Sequence, residues 1–380
     1  MQLRVGVIGL GNDWESRHRP ALHTLQDRFK VEFIYDEVGF RARDAANQLG
    51  ARRVQGFRQA IHSDQIDAIF FLGGQWTGML PLQAACEAGK AIYLNTTFEL
   101  GFAQQSEISR LVKASGVPFM VEFPRRVAPA TTRLKELIAT ELGPPKLIFC
   151  HHRLALPKGQ SGQGQPGYWA VRKVIAEIFD WCRYVVDGTP TSLFSVRYPH
   201  SRDATAHQTL SPGLTRGDSE QGDSEEADRG NALEDGSPEE GALDYQMLSI
   251  DFKARNGTQQ RVVAQISAGT YLKTEWPEAA SFRPPAAMQV CCENGVAFID
   301  LPNTLIWFSP AGRHMESLEG ERPVGERLLA MFYREAQNKT QGETSLTEFQ
   351  EITRVIQAAD ESIDQSSRVG LNGNTKSPLD

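Results

Sequence analysis

No stretch of this chain is apolar for long enough to cross a bilayer, which takes about 20 residues, and no signal-like segment precedes the first patterned residues at Leu3. A cytoplasmic protein with no membrane partner is expected. Positive charge is not in excess either. Lys and Arg total 40 against 47 Asp and Glu, a formal net charge of −7, so nucleic acid is not an expected partner. Cysteine is sparse. The five residues, Cys86, Cys150, Cys182, Cys291 and Cys292, form no CxxC pair, which excludes a disulfide frame or zinc site and leaves reduced, mostly buried thiols. No metal is expected. Cys291 and Cys292, placed on an alternating strand, point to opposite faces.

What is present is a strand that runs straight into a glycine turn, Leu3 to Asn12 (LRVGVIGLGN), and a second apolar run, Val31 to Tyr35, that ends at Asp36. A strand, two close glycines, a helix, a second strand and a terminal acid make a dinucleotide site. Gly9 allows the tight turn. Gly11 leaves the backbone amides open to a pyrophosphate, and Asn12 follows it at the helix N-terminus. Asp36 would accept hydrogen bonds from the adenosine ribose. Trp14 stands where a third glycine or alanine is usual and is expected to pack. Asp36 and Glu37 together repel a 2′-phosphate, which favours NAD over NADP, although Arg41 and Arg43 on the next helix keep NADP open.

Residues 1–124 alternate strand and helix patterns. The candidates are a helix over Arg41–Leu49, a short strand at Val54, a short helix over Phe57–His62, the buried strand Ile66–Leu72, and a helix over Leu80–Ala88. The strand Ala91–Leu94, the helix Gln104–Ser115 and the strand Phe119–Phe123 follow. That alternation predicts a doubly wound parallel sheet of Rossmann type. Residues 125–380 change character. A helix over Ala130–Leu142 precedes strand candidates starting at Leu147, then at Ser192–Arg197, Met247–Lys253, Arg261–Ile266, Ala287–Cys292 and Val296–Asp300. Turn pairs at Asn256-Gly257 and Asn294-Gly295 divide several of them, which predicts a mainly antiparallel open sheet in an α/β second domain. Two late helices, near Glu326–Gln337 and Leu346–Ser362, are expected to pack back on the body. Residues 158–167 are rich in glycine and glutamine. Residues 200–242 are polar and acidic, and read as a disordered insertion.

The run Asp67 to Lys90 (DAIFFLGGQWTGMLPLQAACEAGK), Val121 to Arg126 (VEFPRR), Arg183-Tyr184 and the hairpin Cys292-Glu293-Asn294-Gly295 resemble the glucose–fructose oxidoreductase/inositol dehydrogenase (Gfo/Idh/MocA) family. The resemblance spans nearly the whole chain outside the insertion. It implies an NAD(P)-binding Rossmann domain and a second domain whose open sheet walls the substrate site and serves as a homo-oligomer face. The implied activity is oxidation or reduction of carbinols on sugars, cyclitols or other small substrates. Gly73 and Gln75 would approach the nicotinamide side of the cofactor, as would Asn95.

The chain departs from that family where protons are handled. The family's Glu-Lys-Pro is Asn95-Thr96-Thr97 here, so Thr96 replaces the lysine, and a threonine hydroxyl does not ionise near neutral pH. The family's aspartate and, four residues on, histidine become Lys173 and Glu177. One helical turn apart, these two share a face. One reading makes Lys173 and Glu177 the catalytic pair of a rearranged oxidoreductase, with Thr96, Arg125, Tyr168 and Trp169 on the substrate. The plainer alternative for the pair is a surface ion pair. The other reading is a catalytically inactive NAD(P)-binding sensor or partner protein. A lyase, hydrolase or isomerase step on tightly held NAD is a third. Arg125 and Arg126 follow the last parallel strand, where either an anion-binding or a domain-bridging role fits. His151 and His152 face opposite ways on a strand. His18 reads as a helix-face residue near the cofactor, and Asp180 as an ion-pair partner of Arg183.

Overall fold

The computed structural model describes residues 2–73, 77–95, 102–155, 166–198, 244–254, 261–272, 286–338 and 343–371. Gln75, Thr96, the glycine-rich segment over 158–165 and the 200–242 insertion lie outside the described residues, as does the turn at Asn256-Gly257. Tyr168 and Trp169 are placed in a helix, but their side chains lie outside the description.

The first sheet has six strands among the described residues: β1 (Leu3–Ile8), β2 (Phe29–Tyr35), β3 (Arg52–Arg53), β4 (Ala68–Phe71), β5 (Ala91–Leu94) and β6 (Phe119–Val121). They run in the order β3-β2-β1-β4-β5-β6, and every pairing is parallel. β4, β5 and β6 are buried at every position, as continuous Val/Ile/Phe runs with helices on both faces require. The helices are α1 (Arg19–Thr24), α2 (Gly39–Leu49), α3 (Phe57–Ile61), α4 (Leu80–Glu87) and α5 (Phe102–Ser115). The strand order reverses between β1 and β4, so a crevice opens at the carboxyl ends of these two strands, where such sheets bind ligands. One detail differs from the sequence reading. The strand expected at Val54 lies at Arg52–Arg53, and the Val54 N–H closes its end on the Ile34 carbonyl at 3.0 Å.

After α6 (Pro129–Leu137), which continues as a wider turn through Leu142, a second sheet begins. Its strands are β7 (Pro145–Ala155), β8 (Gly188–Tyr198), β9 (Asp244–Ala254), β10 (Arg261–Leu272), β11 (Met288–Cys292), β12 (Val296–Asp300), β13 (Thr304–Ser309), β14 (Gly312–Ser317) and β15 (Val369–Gly370). Their order is β14-β13-β12-β11-β7-β10-β9-β8-β15. The pairings are antiparallel except β7 with β10, which is parallel. The sheet is therefore mixed, and β13 and β14 extend it beyond the strands legible in the sequence. α7 (Pro166–Val186) joins β7 to β8 and covers one face. Ile148 and Cys150 of β7 point towards it and are buried, while Leu147 and Phe149 point outward.

Two late helices complete the core. α8 (Val324–Gln337) returns to the first sheet, where the Phe332 ring meets Tyr93 at 5.4 Å and Phe70 at 5.5 Å, both edge-on. α9 (Glu343–Gln365) lies between the two sheets, with Phe349 edge-on to Phe119 at 6.3 Å. Each buried phenylalanine contributes roughly 1.5–3 kcal/mol, so both helices are integral to the first sheet's stability.

Candidate active site

The glycine loop after β1 is shaped by its neighbours in the sheet. Gly9 has φ +69° and Gly11 φ +62°, and the Gly9 N–H donates to the Tyr35 carbonyl at 2.7 Å. A Cβ on Gly9 would fall 1.7 Å from the Gly73 oxygen, and one on Gly11 would fall 2.3 Å from the Leu72 oxygen. The sequence reading gave Gly11's bareness to a pyrophosphate. In the structure the first obstacle to a side chain there is the end of β4. Asn95, at the end of β5, donates its Nδ2 to that same Leu72 oxygen at 3.3 Å. Gly11, Gly73 and Asn95 therefore converge, while Asn12 is exposed just beyond them.

Asp36 closes the other side of the loop. Its Oδ2 accepts the Leu10 N–H at 2.9 Å and its Oδ1 accepts the Val38 N–H at 2.9 Å. Each oxygen keeps acceptor capacity that a ribose diol would use. Arg41 reaches over from α2, with Nη2 donating to the Gly11 carbonyl at 3.1 Å and Nη1 4.0 Å from Asp36. Two left-handed glycines, the loop amides and an acid at the tip of β2 fit the adenosine half of a nicotinamide dinucleotide. Trp14 is 2% exposed and lies in the apolar cluster with Val5, Leu22 and Phe332, so it packs as expected.

Beneath the crevice sits a buried charge cluster that the sequence did not reveal. Glu122, one residue past β6, is fully buried. His18 Nε2 lies 2.7 Å from one of its oxygens, the Tyr93 hydroxyl donates to the same oxygen at 3.0 Å, and Arg17 donates to the other. Burial alone would push the Glu122 carboxyl up, but the hydrogen bonds and charges of His18 and Arg17 hold it down at about 2. Burial drives the Tyr93 hydroxyl in the opposite direction, well above its ordinary value. The single signal in the sequence was a lone acid inside an apolar strand end. His18, read from the sequence as a helix-face residue near the cofactor, is a buried hydrogen-bond partner of a carboxylate.

A second group of ionisable residues lies on α7 and the segment after β6. Arg125 Nε stands 3.5 Å from Glu177 Oε2, and the guanidinium lies over the Trp181 ring at 5.6 Å. His152 lies on the same side of β7 as Cys150. Burial lowers its pKa to about 4, and the Arg125 charge reinforces that shift, so it is neutral at physiological pH. Lys173 is one turn before Glu177, half-buried, and makes no ion pair among the described residues; Glu177 has taken Arg125 instead. Arg126 differs from Arg125. It hydrogen-bonds Asp180 and Glu348, and Arg183 joins the same acids and Glu351. Arg126 is therefore the bridging arginine, and Asp180 pairs with Arg183 at 3.4 Å as expected.

His151 turns to the outer face of the second sheet, where its Nδ1 meets the Ser267 hydroxyl at 2.8 Å. A cavity of about 430 Å³ opens there, bordered by Phe149, Phe194, Met247 and Phe298. It lies across the sheet from Arg125 and Glu177 and belongs to neither side of the crevice. The Cys150 and Cys182 sulfurs are 3.6 Å apart as buried thiols, Cys291 is half-buried and Cys292 buried. Among the described residues no cluster of His, Cys, Asp and Glu forms a metal site, and no helix is long and apolar enough to cross a membrane.

A glycine loop, an acid at the second strand tip and a crevice at the switch point of the strand order define a dinucleotide-binding Rossmann fold. Residues 3–123 of the chain match the family described as "Oxidoreductase family, NAD-binding Rossmann fold" (Gfo/Idh/MocA). Among curated relatives it is 29% identical over 155 residues to inositol 2-dehydrogenase 3 of Saccharopolyspora erythraea, covering 40% of this chain and 46% of that protein. It is 30% identical over 146 residues to scyllo-inositol 2-dehydrogenase (NAD(+)) of Bacillus subtilis, covering 38% and 42%. These matches span about half the length of the curated relatives. The fold extends further. A putative myo-inositol dehydrogenase from Sinorhizobium meliloti superposes with TM-score 0.66 at 15% identity over 97% of this chain and 99% of that one. An oxidoreductase from Thermotoga maritima does so with TM-score 0.67 at 14% identity over 97% and 98%.

Proposed function

We propose that this protein is an NAD-dependent oxidoreductase that acts on a carbinol of a sugar-like, cyclitol or other small substrate, with NADP as the less favoured cofactor. The observation that carries this is the loop with left-handed Gly9 and Gly11 and the Asp36 carboxylate at the tip of β2, which fit the adenosine half of a nicotinamide dinucleotide. A bound nicotinamide supplies the hydride acceptor or donor. The chain must then hold the alcohol and move its proton. Glu177, as a carboxylate, takes the hydroxyl proton during oxidation and returns it during reduction. Lys173, one turn away, binds the same oxygen or the developing charge. Arg125 fixes the substrate's position, and His152, kept neutral, offers a hydrogen bond without adding charge. Gln75, Thr96, Tyr168 and Trp169 complete the proposed cofactor and substrate contacts. Asp36 with Glu37 at the tip of β2 favours NAD.

A second reading is a sensor that binds NAD(H) without turnover. Threonine at position 96 and the engagement of Glu177 by Arg125 favour it. Fluorescence titration with NADH and NADPH, followed by a panel of polyols and sugars assayed by cofactor absorbance, separates the two. Turnover that is lost in Glu177→Gln and Lys173→Ala, with NADH affinity kept, supports the enzyme. NADH binding with no turnover across the panel supports the sensor. The exposed Leu147, Phe149, Val196, Tyr198, Met247 and Phe308 on the second sheet suit a homo-oligomer face, and a cytoplasmic location fits the reduced thiols.

A further inference from the structure

Three arginines meet where β6, α7 and α9 come together, and two of them are held by acids at their terminal amino groups, although the Arg183 Nε, like that of Arg125, has no hydrogen-bond partner. Arg126 is closed by Asp180 and Glu348, and Arg183 by Asp180, Glu348 and Glu351. Arg125 is not. Its Nε is buried without a hydrogen-bond partner, and its 3.5 Å approach to Glu177 is an ion pair but no hydrogen bond. Its two terminal amino groups are not sealed off and donate no hydrogen bond to the described residues. Trp181 lies against the guanidinium, its ring centroid 5.6 Å from the central carbon. The charges around it do not balance. Arg125 and Lys173 are two cations against one acid, Glu177, while His152 beside Arg125 is neutral.

Resting on the oxidoreductase reading above, we propose that the substrate carries a carboxylate near its reacting carbinol, a sugar acid or similar hydroxy acid, and that the terminal amino groups of Arg125 are the receptor for it. A carboxylate fills both donors of a guanidinium edge at once, which a polyol hydroxyl cannot do. It also brings the local charge to zero. A neutral polyol would leave the guanidinium charge uncompensated, and that discriminates against it. With the carboxylate anchored on Arg125, the adjacent hydroxyl comes to Glu177, which is held 3.5 Å from the same guanidinium.

The test is calorimetric binding to the full chain, with and without NADH, of matched acids and amides: gluconate against gluconamide, and glucuronate against glucuronamide. The acid of at least one pair is expected to bind at least tenfold more tightly than its amide, and Arg125→Gln should abolish that preference. Arg125→Lys should restore charge without the fork and recover only part of it. Equal affinity for acid and amide in the wild type, or no binding of either acid, overturns the proposal without reliance on any variant. NADH binding with no acid preference removes the carboxylate proposal alone, whereas absence of NADH binding removes the oxidoreductase reading and this proposal with it.

Discussion

Arg125 and Arg126 are neighbours in the chain, yet Arg126 is locked between Asp180 and Glu348 while Arg125 holds Glu177 only loosely at 3.5 Å. One arginine joins elements, and the other has a single acid beside it. Replacing Arg126 by methionine is expected to cost about 3 kcal/mol, because Asp180 is left buried without its main partner. Arg125→Gln is expected to cost only about 1 kcal/mol. Urea unfolding midpoints of both variants check this, and the reverse ranking would show that the roles are exchanged.

Glu177 is the group asked to carry the proton. Glu177→Gln should lower turnover by about 10²–10⁴-fold, the usual worth of a positioned acid–base group. NADH affinity should remain close to that of the wild type, since Asp36 and the glycine loop, not α7, hold the adenosine half in this reading. Full turnover in the variant would take the proton-transfer role away from this residue.

The Glu122 cluster predicts a defined acid response. The carboxyl titrates near 2 in the folded chain against an ordinary 4.5. Its contribution is therefore complete above the ordinary range and is lost as pH falls from 4.5 towards 2. Glu122→Gln leaves Arg17 and His18 facing an amide and should cost about 3 kcal/mol at neutral pH. Its stability should also fall less steeply in acid. Parallel acid limbs for the two proteins would contradict the assignment.

His152 acts in a neighbouring window. The unfolded chain takes up a proton near 6.5 and the folded chain only near 4, so folding is weakened as pH drops from 6.5 to 4 and is indifferent to pH above that. Histidine-selective NMR should show one resonance titrating well below 6.5 that disappears in His152→Gln. A midpoint at the ordinary value would show that the ring is neither buried nor beside the Arg125 charge.

Gly11→Ala tests the loop itself. The new methyl would strike the Leu72 carbonyl in a left-handed conformation, which alone costs an alanine about 1–2 kcal/mol. Both the melting temperature and NADH affinity should drop. Retention of both would mean that β4 can move aside freely.

The parallel sheet was legible because each strand carries its own signal. Ile66–Leu72 is uninterrupted and Asp36 marks the end of β2. The Lys173–Glu177 spacing likewise placed both residues on one face of α7. What stayed hidden depends on distant partners. Nothing near Glu122 in sequence announces Arg17, His18 and Tyr93, and nothing near Gly11 announces Leu72. The parallel pairing of β7 with β10 was obscured because hairpin signals suggest only antiparallel neighbours. β13 and β14 were missed because their side chains are largely half-buried or exposed, which blurs the alternation. The pairing of Glu177 with Arg125, in place of Lys173, follows from where the segment after β6 enters the crevice, and no local pattern encodes that.

The return of α8 to the first sheet has a consequence for synthesis. Phe70 and Tyr93 are made early, but the ring that seals them, Phe332, leaves the ribosome only after β7 to β14 of the second sheet. The nucleotide-binding half must wait with an apolar flank uncovered until nearly the entire polypeptide has emerged. A fragment ending after β6 would be a sticky, incomplete body, and maturation of this protein belongs to its last helices.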